Sequence, residues 1–170
     1  MLNVQSSMKT IPLTKGYSAI VDDEDFEKVS IVRWQSSIGQ SGNNYPLHNF
    51  GKHKKPKFIS LHRFLMNAKK GQIIDHINHN TLDNRKCNLR ICTRSNNAMN
   101  MRKPKKSNSL SKYKGLSWNV KLNKWTVRVM KDYKNYYFGL FISEKDAAIE
   151  YNKRAIELFG KFAKLNEFDD

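Results

Sequence analysis

The chain is 170 residues long, and its 31 Lys and Arg outweigh 15 Asp and Glu to give a formal net charge of +16. Hydrophobic residues make up 39%, enough for one larger domain or two small ones with modest cores, each marginal alone because small modules bury little of their surface. The charge excess calls for a polyanionic partner. No apolar run approaches the roughly 20 residues of a membrane span, and the N-terminus lacks a signal-peptide core, so the reading is a cytoplasmic protein that binds nucleic acid, not membrane.

Residues 1–60 read as a β-rich region. Thr10-Ile11-Pro12-Leu13 and Tyr17-Ser18-Ala19-Ile20-Val21 form two short strands around a Lys15-Gly16 turn. The acidic run Asp22-Asp23-Glu24-Asp25 fits no calcium loop, having no Gly at the sixth position and no Glu at the twelfth. An acidic start to a short helix, Asp23 to Val29, accounts for it. Ile31–Trp34 and Tyr45–Phe50 flank a Ser/Gly/Asn-rich loop as a hairpin, with Trp34 and Phe50 expected in the core. Lys52 to Lys57 is a basic turn of the kind that lies on phosphates or projects into solvent. Phe58 to Met66 reads as a strand running into a helix.

The stretch Gln72 to Asn100 organises the chain. A short apolar run ends in Asp75-His76, a loop rich in turn formers follows (Asn78, Asn80, Asp83, Asn84), and Asn88 to Cys92 is a second strand-like piece. Thr93 stands where a helix N-cap belongs, ahead of Asn96 and Asn97. Neighbours in a strand point to opposite faces, so Asp75 and His76 can take different jobs. A carboxylate and an amide oxygen are hard ligands suited to Mg²⁺, and a neutral His76 can take a proton from an attacking water. Cys87 and Cys92 form no Cys-x-x-Cys pair, and no further cysteines exist to complete a structural zinc site. No zinc is expected.

The succession Asp-His-Ile-Asn, Leu-Asp-Asn-Arg, Asn-Leu-Arg and Thr-Arg-Ser-x-Asn resembles the HNH motif of phage-type homing endonucleases. The resemblance implies a ββα-metal fold over about residues 72–100, with His76 as general base and Asp75 and Asn97 as metal ligands. Asn88 matches the motif's central Asn, which braces the loop and completes the catalytic set. Leu61-His62-Arg63 stands where the family commonly carries Leu-His-Arg. Either His62 and Arg63 position the scissile phosphate or they are structural, and the apolar Leu61, Phe64 and Leu65 around His62 favour structure.

Residues 101–112 are polar, basic and Ser-rich, with Pro104 to end the preceding helix. They divide the nuclease region, 1–100, from a third part, 113–170. Arg102 to Leu140 holds eleven Lys or Arg against one acid, Asp132. A basic linker carrying Arg102, Lys103, Lys105 and Lys106 can track a DNA backbone or act as a plain tether.

The third part offers three strand-like pieces, Lys114–Trp118, Lys124–Met130 and Tyr136–Phe141, and then a helix. Trp125, Val127 and Val129 share one face of the middle strand, and Lys124, Thr126, Arg128 and Met130 the other. Ser143 caps the helix with Asp146 three residues on. Ala147, Ala148, Tyr151, Ala155, Ile156 and Phe159 recur at helical spacing, and Gly160 is placed to end it.

Tyr113-Lys114-Gly115-Leu116-Ser117-Trp118, Lys124-Trp125, Phe138-Gly139-x-Phe141, Glu144-x-x-Ala147-Ala148-x-x-Tyr151 and Phe159-Gly160-x-Phe162-Ala163 resemble the plant ethylene-response-factor type of DNA-binding domain. The resemblance implies a three-stranded sheet in the major groove, with Lys114, Trp118, Lys121, Lys124, Trp125, Arg128 and Tyr137 as contacts. Arg128 is the first choice for a base contact, since Arg bidentate to guanine is the commonest specific pairing. The alternative for both tryptophans is core.

The expected fold is therefore α+β: a β-rich region leading into a ββα-metal nuclease fold, a basic linker, then a three-stranded antiparallel sheet packed on one helix. The expected function is site-specific cleavage of double-stranded DNA with Mg²⁺, or with Mn²⁺ in its place, in a homing role encoded by a phage or mobile element of a bacterial host. One such site cuts one strand, so a monomer nicks, while a double-strand break needs a homodimer or two successive events. The alternatives are a non-catalytic DNA-binding transcriptional regulator and an RNA-binding module.

Overall fold

The computed structural model describes residues 7–39, 42–52, 54–101 and 110–168. It is a mixed α/β chain of several small antiparallel sheets and few helices, in two units, residues 1–92 and 93–170. Arg102, Lys103, Lys105 and Lys106, named above for the linker, lie outside the described residues.

In the first unit β1 (Met8–Pro12) pairs antiparallel with β2 (Ser18–Asp22), around a turn in which Lys15 and Gly16 both take positive φ. Helix α1 (Asp23–Ser30) follows, its first turn carrying Asp23, Glu24 and Asp25 against the positive amide end. A second sheet runs β3 (Gln35–Ile38), β4 (Asn44–Asn49) and β5 (Phe58–Ser60), with β4 in the middle.

Two expectations are corrected here. Pairing with β4 begins at Gln35, not in Ile31–Trp34: Ile31 closes α1 and is 83% exposed, while Trp34 bridges to Leu13 and is buried with its Nε1–H donating to the Val29 carbonyl at 2.9 Å. Phe50 is not core; it lies past the end of β4, 60% exposed. Strand β5 passes straight into α2 (Leu61–Leu65), whose Leu61 and Leu65 stack at i,i+4 and join Ile11, Leu13, Ala19, Val21, Val29 and Trp34 in one core. Strands β6 (Ile73–His76) and β7 (Leu89–Cys92) form an antiparallel ribbon with Asp75 opposite Arg90 and His76 opposite Leu89.

The second unit opens with α3 (Arg94–Asn100), capped by the Thr93 hydroxyl accepting from the Asn96 amide at 3.1 Å. Strands β8 (Leu116–Asn119), β9 (Lys124–Lys131) and β10 (Lys134–Phe141) make an antiparallel sheet with β9 central. Helix α4 (Glu144–Phe159) covers one face, started by the Ser143 hydroxyl accepting from the Asp146 amide and ended at Gly160, φ +49°. Ala147, Ala148, Tyr151, Ala155 and Phe159 meet Val127 and Val129, and Met99 of α3 joins that core. Ile156 does not: it is 51% exposed, because Ala155 and Phe159 already fill the stripe over the sheet. Gly115 takes φ +80°, and a Cβ there would enter the Tyr151 ring.

Candidate active site

Asp75 and His76 close β6, and both are 6% exposed. Their strand partner determines what surrounds them. Arg90, opposite Asp75 across the ribbon, donates from Nε to Asp75 Oδ2 at 2.8 Å, and its Nη2 lies 2.7 Å from the same oxygen as an ion pair. The carboxylate is held in one orientation by a cation that is itself nearly buried.

His76 lies among rings and an amide. The His62 ring stands edge-on to it with centroids 5.1 Å apart, and Tyr45 meets both imidazoles, at 5.9 Å from His62 and 6.5 Å from His76. Asn84, wholly buried, presents Oδ1 to His76 Nε2 at 3.5 Å. That contact is long, but its polarity is determined. The Asn84 amide nitrogen donates to the Thr81 carbonyl at 3.2 Å, so the atom turned to His76 is the acceptor, and Nε2 must carry the hydrogen. The lone pair of the neutral ring is then on Nδ1. Burial is the main cause holding the His76 imidazole below its ordinary range, against the opposing pull of Asn84, Asp75 and Asp83. The ring is neutral at pH 7 and fit to accept a proton.

His62 is lowered further, to about 3, by burial and then by its neighbours His76 and Arg63. Its Nε2 meets the Ser60 hydroxyl at 3.1 Å, and its buried Nδ1 has no hydrogen-bond partner among the described residues. Arg63 turns away to the backbone, donating to the Gln72, Ala68 and Lys69 carbonyls and tying α2 to the start of the ribbon.

The loop between β6 and β7 is fixed to the β-rich region. Ile20 N–H donates to the Leu82 carbonyl and Asn84 N–H to the Ile20 carbonyl, both at 2.8 Å, so residues 82–84 run beside β2. The acidic run grips the same loop: Asp22 accepts from the Lys86 amide at 2.7 Å, and Lys86 Nζ lies 2.6 Å from Glu24 and 2.9 Å from Asp25. Asp83 pairs with Arg85 at 2.7 Å and accepts from Asn78. Asn88 accepts from the Asn78 amide at 3.0 Å and donates to the Asp83 carbonyl at 2.8 Å. Its amide is engaged at both ends and braces the loop. Asn97 belongs to α3 in the second unit.

Sequence reasoning missed Asn84, Arg90 and Tyr45 as site residues. Asn84 and Arg90 carried a signal: a turn former in a polar loop and a basic residue on the pairing strand. Tyr45 carried none.

On the second unit, the sheet face away from α4 places Arg128 directly opposite Tyr137, both exposed. Trp118 faces Trp125 across β8 and β9, with ring centroids 4.9 Å apart and planes at 65°. Trp125 also packs against the core edge. Lys121 is exposed and Lys124 half-buried. Thr126, expected on the open face, is buried between its strand neighbours Ser117 and Leu140. Lys114 is corrected as a DNA contact. Its Nζ donates to the Met99 carbonyl at 2.5 Å and the Met101 carbonyl at 2.7 Å, and burial brings its pKa down to about 8.

Three comparisons bear on this geometry. Residues 64–99 match the family described as HNH endonuclease. The chain is 35% identical over 162 residues to an uncharacterized HNH endonuclease of Acanthamoeba polyphaga mimivirus, a match covering 91% of this chain and 78% of that protein. It is 36% identical over 96 residues to protein 3.8 of Escherichia phage T7, covering 56% of this chain and 77% of that protein. No solved structure matches.

Proposed function

The chain belongs to the HNH endonuclease family, and from that premise we propose that it hydrolyses phosphodiester bonds of double-stranded DNA at particular sites. The observation that carries this reading is His76: a buried, neutral imidazole whose Nε2–H is committed to Asn84, beside a carboxylate oriented by Arg90. His76 Nδ1 takes the proton of a water as its oxygen bonds to phosphorus. The P–O bond to the sugar breaks, the departing oxygen gains a proton from solvent, and His76 returns its own to water. Tyr45 and His62 keep the ring edge-on and limit bulk water around it.

A divalent ion, Mg²⁺ with Mn²⁺ as a substitute, fits the hard oxygen of Asp75. When bound, it supplies charge stabilisation to the leaving oxygen. Among the described residues no three His, Cys, Asp or Glu side chains gather as a metal cluster; a single carboxylate suits an ion that keeps most of its water, as Mg²⁺ does. Asn97 is assigned as the second ligand on the family pattern alone.

The second unit is proposed to recognise DNA in the manner of ethylene-response-factor domains, through Arg128, Tyr137, Trp118, Lys121 and Lys124, with Trp125 shared between that face and the core. A homing role, with the chain encoded by a phage or mobile element, accords with viral and phage relatives. Its site of action is then the cytoplasm of a bacterial host; among the described residues no helix is long and apolar enough to cross a membrane.

The test is nicking of supercoiled plasmid with Mg²⁺ and with EDTA. His76→Ala should lower the cutting rate by about 10²–10⁴-fold, the contribution of a general base, while DNA affinity stays within about threefold. Loss of affinity together with cutting would refute the role given to His76. Binding without cutting by the wild type, with Mn²⁺ also supplied, would favour a DNA-binding regulator.

A further inference from the structure

The site above leaves one built surface of the first unit without a role: the connection from β4 to β5. From Asn49 to Phe58 every described residue is exposed except Gly51, which is half-buried. Lys52, Lys54, Lys55 and Lys57 project from it with no acidic residue among them. Together with Phe50 and Gly51 they line a concavity of about 580 Å³.

This connection is held in shape. Asn49 Oδ1 accepts from two backbone amides, Gly51 at 3.0 Å and Lys57 at 3.1 Å. Phe50 N–H donates to the Lys57 carbonyl, and Lys55 N–H to the Lys52 carbonyl, both at 2.9 Å. The chain passes so close to itself that a Cβ on Gly51 would strike the Lys57 amide and the Lys55 carbonyl. Fixed lysine positions reduce the ordering cost of binding an extended anion. A solvated loop tip has no need of a double Asn49 clamp.

We propose that this loop is a second DNA-contacting surface, on the nuclease unit itself, which grips the phosphate backbone of duplex DNA beside the bond to be cut. The partner follows from charge and from position. Four lysines with no ion-pair partner among the described residues fit a polyanion, and Phe50 with Phe58, 60% and 52% exposed, supplies apolar contact to sugars at the groove edge. Lys57 stands five residues before His62, so the two are at most about 18 Å apart even along an extended chain. That is the rise of about five base pairs. The loop therefore holds DNA within about half a turn of His62, whose ring stands 5.1 Å from that of His76, without reading its sequence.

The inference rests on the DNA-cleavage reading for its choice of partner, and the experiment separates the two. The full chain is titrated with labelled duplex DNA of mixed sequence across a range of salt concentrations, as wild type, as the quadruple Lys52→Ala, Lys54→Ala, Lys55→Ala, Lys57→Ala variant, as Asn49→Ala, and as His76→Ala. The quadruple variant should bind at least about tenfold more weakly at physiological salt. Its plot of log affinity against log salt should be shallower by about 2 to 4, one for each lost phosphate contact. Asn49→Ala keeps every charge, so a fall of about threefold or more would show that the shape of the loop matters.

An unchanged slope in the quadruple variant, with its melting temperature intact, overturns the proposal. So does a slope change without any effect of Asn49→Ala, which reduces the loop to plain charge. Equal lysine-dependent binding to duplex RNA or to phosphatidylserine vesicles overturns the choice of partner. His76→Ala should keep the wild-type slope. Should the wild type never cut while the lysine variant flattens the slope, the cleavage reading falls and the loop surface stands; cutting with an unchanged slope is the reverse.

Discussion

Both units have an apolar core, but the first also encloses a polar cluster where its candidate site lies. In the first, the most enclosed groups include Asp75, His76, Asp83, Asn84 and Asn88, all under 9% exposed. In the second, the core is Val127, Val129, Ala147, Ala148, Tyr151, Ala155 and Phe159, and the polar side chains of interest, Arg128 and Tyr137, stand in solvent. A buried polar cluster costs stability unless each member is partnered, whereas an exposed one on a packed sheet costs almost nothing. This difference accords with the roles proposed for the two units. Proton transfer needs a neutral, fixed ring away from bulk water, and groove contact needs long side chains free to move.

The sharpest way to break the comparison is Arg90→Ala. It leaves the Asp75 carboxylate buried without its cation, and breaking such a pair costs about 3–5 kcal/mol. Urea unfolding should show this loss in the transition of the first unit alone, with nicking lost in parallel. A loss below about 1 kcal/mol would mean that the pair is solvated in solution.

Its counterpart in the second unit is Gly115→Ala. The Cβ meets the Tyr151 ring at a backbone angle that L residues rarely adopt, so a penalty of about 2–4 kcal/mol is expected. Near-ultraviolet circular dichroism should report loss of the Trp118 and Trp125 signals while Trp34 is kept. Simultaneous loss of all three would show that the units unfold as one.

pH offers a gentler probe. The His62 value near 3 in the folded chain lies below the ordinary 6.5, so between those values the unfolded chain binds more protons and stability falls as pH falls. Over that window the first unit should lose on the order of 2–3 kcal/mol from this group after allowing for screening. His62→Leu should flatten the dependence, as read from the urea midpoint at pH 7, 5.5 and 4. An equal slope in wild type and variant would assign the effect to other groups.

The smallest effect belongs to the exposed face. Arg128→Ala should weaken binding to the preferred sequence by about 1–3 kcal/mol and relax discrimination at one base position, with turnover at saturating DNA unchanged. A uniform loss across all sequences would make Arg128 a phosphate contact.

What could be read in advance followed the range of the interaction. The α1 start at Asp23, the Thr93 and Ser143 caps and the Gly160 stop depend on neighbours within a turn, and residue type and spacing show such features directly. The strand at Ile31–Trp34 was misplaced because Trp34 has strand propensity but is drawn into the core by its bond to Val29. Lys114 looked like a free cation and is instead bound to two carbonyls from a distant segment.

The site divides in the same way. Asp75 and His76 could be named as the pair for chemistry because they adjoin in sequence and alternation sends them to different faces. That His76 bears its hydrogen on Nε2 rests on Asn84 and Thr81, and that Asp75 is already paired rests on the register of β6 against β7. The sequence by itself determined the family, the charge and the local caps, and it pointed to Asp75 and His76 as the pair proposed for hydrolysis, since these are matters of residue type and short spacing. Only the tertiary structure decided which imidazole nitrogen faces Asn84, that Lys114 is engaged by backbone carbonyls and what the acidic run holds. Those depend on partners brought together by burial, such as Asp22, Glu24 and Asp25 closing on Lys86.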